Sequence, residues 1–342
     1  MEGTSIAVLA MNRPETLRQT LDTIKATAVQ PYEVIVVDNG STDQATLDLL
    51  REREQEGSIQ LIANDENLGL SIGTNQGLQA GKYDTLIHMD DDCVIKTNGW
   101  NLVLRHFLQR PEVGMAVPGI FGEHIPHEGG YAELRWGLGM CWGITKDLFD
   151  DIGGYDPQLH HQNECDMGLR VRMAGYNVAG IVGIDIIHND PGGPRSAVSL
   201  GRERIGCVQF RDKWCSYFRN RNWTYGTDPI YLMQHWPPDQ EFLRRWAMYN
   251  GVNLNPAREP QGQPEEYWHE LDDHFRGQQL IEVQGQKYLV YRELRNDYMH
   301  WEWQHNPGAY IRDREQIIKD WHELTGELYT GYVWPVNLLK PY

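Results

Sequence analysis

Residues 85–95 read TLIHMDDDCVI, which sets Asp90, Asp91 and Asp92 side by side between two apolar runs. Neighbouring carboxylates repel. A pair about 4 Å apart costs about 1 kcal/mol in water and about 4 kcal/mol near a protein surface. Either the three lie on an exposed turn screened by water, or a cation sits among them. A second acidic turn, VVDNGSTD at 36–43, closes another apolar run and places Asp38 at its end. A third group, Glu164 and Asp166, opens the segment NECDMGLRVRMAGY. His188 ends the apolar stretch NVAGIVGIDIIHND.

The elements that must carry these groups follow from periodicity. SIAVLA (5–10), EVIVVD (33–38), SIQLIA (58–63) and TLIHM (85–89) read as buried strands. Between the first two, NRPETLRQTLDTIKAT starts a helix at Pro14 and Glu15 and closes it near Lys25. Leu17, Leu21, Ile24 and Ala28 recur at helical spacing. ATLDLLRERE is a second helix, and NDENLGLSIGTNQGLQAG is a glycine-rich turn leading into a weak third. Strands alternating with helices predict parallel βαβ units. Ligands of such sheets sit outside the carboxyl ends of the strands. Asp38 and Asp90 to Asp92 both fall at that edge, so two acidic loops converge on one crevice.

Beyond residue 110 the pattern changes. GMAVPGI predicts a strand, 122–136 an irregular stretch, and GLGMCWGITKDLFDDIGGYDP a strand, short helix and glycine turn. NECDMGLRVRMAGY predicts a helix and NVAGIVGIDIIHND a strand pair, after which PGGP (191–194) interrupts the chain. A boundary near 195 divides a first domain, 1–195, from a mainly helical region, 196–342, which holds nine of the twelve tryptophans. Two domains suit 342 residues.

A formal charge of −17 argues against a surface that broadly embraces nucleic acid or anionic lipid. Five scattered cysteines without a CxxC pair fit free thiols in a reducing compartment. The first residues lack the basic and apolar regions of a signal peptide, and no apolar run is long enough to span a bilayer. The expectation is a cytoplasmic protein with no transmembrane segment.

Four pieces in this order, MNRPETL, VVDNGSTD, NLGLSIGTNQG and HMDDD, resemble the family 2 type glycosyltransferases of GT-A fold, over roughly the first 190 to 220 residues. WCSYFRNRNW (214–223) is similar to rhamnosyltransferase-like members. The resemblance implies an α/β, Rossmann-like, mostly parallel sheet flanked by helices. It also implies transfer of a sugar from a nucleotide-sugar donor to an acceptor hydroxyl, with inversion. Expelling a nucleoside diphosphate calls for a hard divalent ion, Mn2+ or Mg2+, with open positions for phosphate oxygens. By resemblance the ion is held by Asp90, Asp92 and His188. The donor falls to Asn12, Arg13, Asp38, Asn39, Asn67, Gly69, Asn75, Asp90, Asp91, Arg219 and Arg221. The acceptor side of the family reads Glu-Asp where this chain has Asn163 and Glu164, so Glu164 inherits the general-base position with Asp166 as the neighbouring acid. Asp156 in GGYDP is the alternative acid.

Residues 202–221 carry six Lys/Arg against two acids. The segment could bind donor phosphate, form a solvated helix face, or contact a nucleic acid. A glycan or small-molecule acceptor is the favoured partner, and the modified bases of a nucleic acid the alternative. A sugar nucleotidyltransferase shares a similar sheet but opens with a basic glycine-rich loop, which LAMNRPETL lacks. A non-catalytic sugar-nucleotide binder is disfavoured by the intact carboxylates. His124, His127, His160 and His161 lack zinc-site spacing and suit acceptor loops.

Overall fold

Burial of β-branched runs beneath one-sided helices sets the architecture. The computed structural model describes residues 1–120, 124–134, 137, 139–189, 197–219, 255–256, 278–283, 286–291 and 307–333. Strand β1 (Thr4–Ala10) is followed by helix α1 (Pro14–Thr27). Proline lacks the N–H that a helix start leaves unpaired, and Glu15 and Lys25 oppose the helix dipole at either end. Leu17, Leu21 and Ile24 form the buried face of α1. Strand β2 (Tyr32–Asn39) leads to α2 (Gln44–Gln55), capped by Asp43, whose side chain accepts the Thr46 N–H at 2.8 Å. Then come β3 (Gln60–Asn64), α3 (Leu70–Gln79), β4 (Thr85–Asp90), β5 (Cys93–Ile95), α4 (Trp100–Leu108) and β6 (Val113–Pro118). A hairpin of β7 (His124–His127) and β8 (Tyr131–Leu134) precedes β9 (Cys141–Thr145), α5 (Lys146–Ile152), α6 (Asn163–Met173), β10 (Asn177–Ile181) and β11 (Ile186–His188).

The main sheet has nine strands in the order β3-β2-β1-β4-β9-β6-β10-β8-β7. The first four are parallel, as the βαβ pattern predicts. Strand β9 runs antiparallel to β4 and β6, while β6 and β10 are parallel. Alternate residues of β1 face opposite layers. Ile6 and Val8 join Leu17, Ile24, Leu49 and Trp100 on one side, and Ala7 joins Leu78, Leu86, Trp142 and Tyr155 on the other.

Two sequence expectations are corrected. The stretch 122–136 is not irregular, because it holds the edge hairpin β7–β8. All four β8 residues are buried against β10, so the alternation that marks a half-exposed strand is missing. Strands β10 and β11 are not a pair. The first lies in the main sheet, and the second forms a separate ribbon with β5.

The chain divides into two compact units, Met1–Pro194 with Tyr342, and Arg195–Pro341. In the second, α7 (Ala197–Arg219) packs along α8 (Pro307–Thr325), where Gly201 lies against Trp321 and Leu324. A three-stranded antiparallel sheet contains β12 (Asn255–Pro256), β13 (Gln278–Val283) and β14 (Gln286–Tyr291). Most of the tryptophan-rich stretch lies outside the described residues. Among the described residues, no helix is long and apolar enough to cross a membrane. Cys93 and Cys141 are buried free thiols.

The glycines of LSIGTNQG have a packing reason. A Cβ at Gly77 would stand 3.0 Å from Ala7 Cβ and 3.1 Å from Val37 Cγ2, and one at Gly73 would meet Leu9. Bare glycine lets α3 lie directly on β1 and β2. Gly77→Val should therefore destabilise the first unit by about 1–3 kcal/mol through overpacking. A urea unfolding midpoint equal to that of the wild type would contradict this contact.

Candidate active site at the carboxyl edge of the sheet

Strand register assembles the site. Ala10 at the end of β1 is paired with Asp38 of β2, and Leu9 is paired with Asp90 of β4. The two acidic loops therefore flank the exit of β1, and the chain leaving β1 carries Asn12 and Arg13 between them.

Amide side chains fix these loops. Asn12, in the left-handed region at φ 53°, accepts the N–H groups of Thr42 and Asp43 at 2.8 and 2.9 Å. Its own N–H donates to Ser41 Oγ at 3.0 Å. Asp38 is buried and accepts the Ser41 N–H at 3.0 Å. Asn39 accepts from Leu68 N–H and donates to Asn67 Oδ1 and the Gly69 carbonyl, joining the β2 loop to the start of α3. Gly69 itself takes φ 88°, a conformation that glycine adopts without strain. Asn75 lies deeper. Its amide donates to the Tyr155 carbonyl at 2.7 Å and accepts the Tyr155 N–H at 2.8 Å, clamping one residue from both sides.

The aspartate run is divided between two basic side chains. Arg13 places Nη1 3.1 Å from Asp91 Oδ1 and Nη2 2.7 Å from Asp92 Oδ2. Burial pushes Asp91 up to about 7, with Arg13 opposing the shift and Asp92 and Asp90 adding to it. Burial also raises Asp92, but His188 and Arg13 outweigh it and hold that carboxyl below its ordinary value. His188 arrives through the ribbon, where it is paired with Cys93, one residue beyond Asp92. Its Nε2 stands 2.9 Å from Asp92 Oδ1 and 3.8 Å from Asp90 Oδ2.

One ligand atom from each of Asp90, Asp92 and His188 falls within 4.8 Å of the others. Asp92 Oδ1 is buried, and apart from His188 Nε2 no donor among the described residues reaches it. Two carboxylate oxygens and one imidazole nitrogen suit a divalent ion of the Mn2+ or Mg2+ kind. Three protein ligands leave the remaining positions to other oxygens. The residues fit the ion.

Glu164 is half-buried in the first turn of α6, behind Gln162 at φ 66°. A Cβ at Gly139 would stand 3.7 Å from Glu164 Cδ, an ordinary contact distance, so the carboxylate lies beside Gly139. The next residue, Met140, accepts the Asp90 N–H at 2.8 Å. The charges of Glu164 and Asp90 both act on Tyr155, whose hydroxyl is pushed well up, chiefly by burial. Asp166, expected beside Glu164, is fully buried. Its carboxylate is bound by Arg170 at 2.9 Å, and Arg170 also donates to the carbonyls of Ile152 and Gly154. Asp166 thus belongs to the joint between α5 and α6. Asp156 is buried too and accepts the Gln158 N–H at 2.9 Å within its own turn. His127 stacks on Tyr131, and His161 accepts the Gln162 N–H. Arg221 lies outside the described residues, and of Arg219 only its place at the end of α7 is described. Sequence reasoning passed over His88, Trp142 and Tyr155, which lie packed together beneath Asp90 and look like ordinary core.

A carboxylate–imidazole cluster thus stands at the carboxyl edge of a parallel sheet, with Asp38 on a strand of the same edge. Residues 5–150 match the family described as Glycosyl transferase family 2, and the chain is a glycosyltransferase with a family 2 domain of GT-A fold. The chain is 21% identical over 241 residues to the glucosyl-dolichyl phosphate glucuronosyltransferase of Haloferax volcanii, covering 62% of this chain and 74% of that protein. It is 26% identical over 119 residues to the poly-beta-1,6-N-acetyl-D-glucosamine synthase of Staphylococcus aureus, which covers 35% of this chain but only 28% of the synthase. Two solved structures share the fold. The mannosyltransferase PcManGT of Pyrobaculum calidifontis, in complex with GDP-Man and Mn2+, has a TM-score of 0.56 at 15% identity, covering 95% of this chain and 87% of that one. GalNAc-T7 with UDP, GalNAc and Mn2+ has a TM-score of 0.53 at 13% identity, covering 87% and 73%.

The Asn75 clamp makes a structural prediction. Asn75→Ala strands the N–H and carbonyl of Tyr155, each worth about 1–3 kcal/mol when left unmade. A loss of about 2–4 kcal/mol should appear in urea unfolding. Wild-type stability with weakened nucleotide binding would instead place Asn75 on the donor.

Proposed function

We propose that the chain is a metal-dependent, inverting glycosyltransferase that moves a sugar from a nucleotide donor to a hydroxyl of a glycan or small molecule. The observation that carries this reading is the convergence of Asp90, Asp92 and His188 beside Asp38 at one strand edge. Asp90, Asp92 and His188 would hold Mn2+ or Mg2+, which supplies a positive charge opposite the leaving diphosphate. Arg13 keeps Asp91 and Asp92 in place and adds a fixed positive charge at the same edge. Asp38 accepts hydrogen bonds from the nucleoside, and the Asn39–Asn67–Gly69 network orders the loop over it. Glu164 takes the acceptor proton as the hydroxyl attacks. Asp166 acts through Arg170 by fixing α6 against the turn at Gly154.

The complexes of the two solved relatives with Mn2+ and nucleotide or nucleotide sugar support the donor and metal assignments by analogy. The Haloferax relative, named for a lipid-linked acceptor, supports a glycan-type acceptor in the same way.

Two outcomes test the proposal. Ligands that bind only the folded chain raise its melting temperature. Nucleoside diphosphate with Mn2+ should stabilise the wild type, and Asp92→Ala should remove that Mn2+-dependent increment while melting cooperatively. Undiminished stabilisation in the mutant removes the metal from the reading. Glu164→Gln keeps size and hydrogen bonding but cannot accept a proton. Turnover should fall about 10²–10⁴-fold with nucleotide affinity little changed. If Asp156→Asn is the more damaging change, the base is misassigned.

A further inference from the structure

His88 has no role in the reading so far, yet it touches the cluster. On β4 it lies two residues before Asp90, so the two side chains share one face of the strand. Its Nε2 stands 3.1 Å from Asp90 Oδ1, and the ring is 1% exposed. Trp142, its cross-strand partner on β9, lies 5.5 Å away between centroids, and Tyr155 lies 6.1 Å away edge-on. Those neighbours are themselves fixed. Trp142 Nε1–H donates to the Tyr155 hydroxyl at 2.7 Å, and Asn75 holds the Tyr155 backbone. Nδ1 of His88 is buried with no hydrogen-bond partner. A proton there would be a buried donor without an acceptor, whereas a proton on Nε2 meets a carboxylate oxygen. The hydrogen-bond network therefore selects the Nε2–H tautomer.

We propose that His88 is a positioning residue that occupies Oδ1 of Asp90 and leaves Oδ2 to the ion. The proposal rests on the metal reading above. The neighbouring ligand shows the same division of labour: Arg13 takes Oδ2 of Asp92, and Oδ1 faces His188 Nε2 at 2.9 Å. Asp90 Oδ2 is likewise the oxygen nearer His188, at 3.8 Å. Each carboxylate thus has one oxygen held by a scaffold donor and one turned to a common point. Hydrogen bonds of this kind orient ligands, and losing one typically weakens metal affinity 10–100-fold. A purely space-filling histidine would make no such demand, because phenylalanine would serve as well between Trp142 and Tyr155.

Mn2+ binding to the purified full chain, followed by the loss of the free-ion EPR signal, separates these possibilities without measuring turnover. His88→Phe fills the space but donates nothing, and should weaken Mn2+ binding about 10–100-fold. His88→Gln brings an amide N–H close to the place of Nε2 and should restore most of the affinity. His88→Asn places its amide nearer the position of Nδ1, short of Asp90, and should behave as the phenylalanine variant does. The Gln and Asn pair carries the test if His88→Phe fails to melt cooperatively. Wild-type affinity in both His88→Phe and His88→Asn, or equal loss in Gln and Asn, overturns the role of His88 alone. A wild-type chain that binds no Mn2+ overturns the metal reading and this proposal together.

Discussion

Three carboxylates at the end of one strand are the constraint around which the first unit is organised. At an effective dielectric of about 20, each close pair costs about 4 kcal/mol, so the run must be met by basic groups from elsewhere. Arg13 comes from the first turn beyond β1 and His188 from a ribbon almost a hundred residues later. Bringing them in requires β1 to lie beside β4 and β11 to pair with β5. The reversed strand β9 closes the arrangement by placing the Met140 carbonyl on the Asp90 N–H. Even so, Asp91 is under-compensated, and burial drives its carboxyl up to about 7. A fixed cation and a movable one would divide this work, with the guanidinium always present and the ion present only when bound.

The loops at the same edge cannot pair with one another as strands do, yet their backbone groups still need partners. Asparagine supplies them. Asn12, Asn39, Asn64 and Asn67 each use a short amide to bridge two segments, and none requires the loops to extend. The result is a rim fixed by neutral groups around an acidic centre. Adding further charge there would have altered the potential that the aspartates create.

The parallel half of the fold was legible because its strands are apolar, its helices one-sided and its turns rich in Gly, Asn and Asp. Asp38 and Asp90 could be placed on one edge from strand order alone. What followed residue 110 was less readable for physical reasons. A fully buried strand such as β8 shows no alternation, and β10 and β11 are adjacent in sequence but belong to different sheets. The site residues split in the same way. Carboxylates in acidic motifs announced themselves, but a buried ion pair at spacing i, i+4 makes Asp166 look like its neighbour Glu164 until burial separates them. His88 carried no signal at all, since one histidine in an apolar strand is indistinguishable from core.

The departure at Asn163–Glu164 from the Glu-Asp pair implied by the family resemblance acquires a physical sense from burial. Asn163 is fully enclosed and accepts the Ser71 hydroxyl, which ties α6 to α3. A carboxylate in that place would have to be desolvated beside a hydroxyl and a carbonyl, at a cost of several kcal/mol unless paired. A neutral amide carries no charge to desolvate and still fixes the helix through Oδ1, although its Nδ2 is buried with no hydrogen-bond partner among the described residues. The negative charge then resides one residue later, on the half-buried Glu164, where the helix N-terminus favours it. The longer side chain lies beside Gly139, next to the strand that contacts Asp90. Position 164 therefore combines solvent contact, a favourable dipole and proximity to the acidic centre. Asp156 and Asp166, both buried and engaged in their own turns and helix joints, do not share that combination.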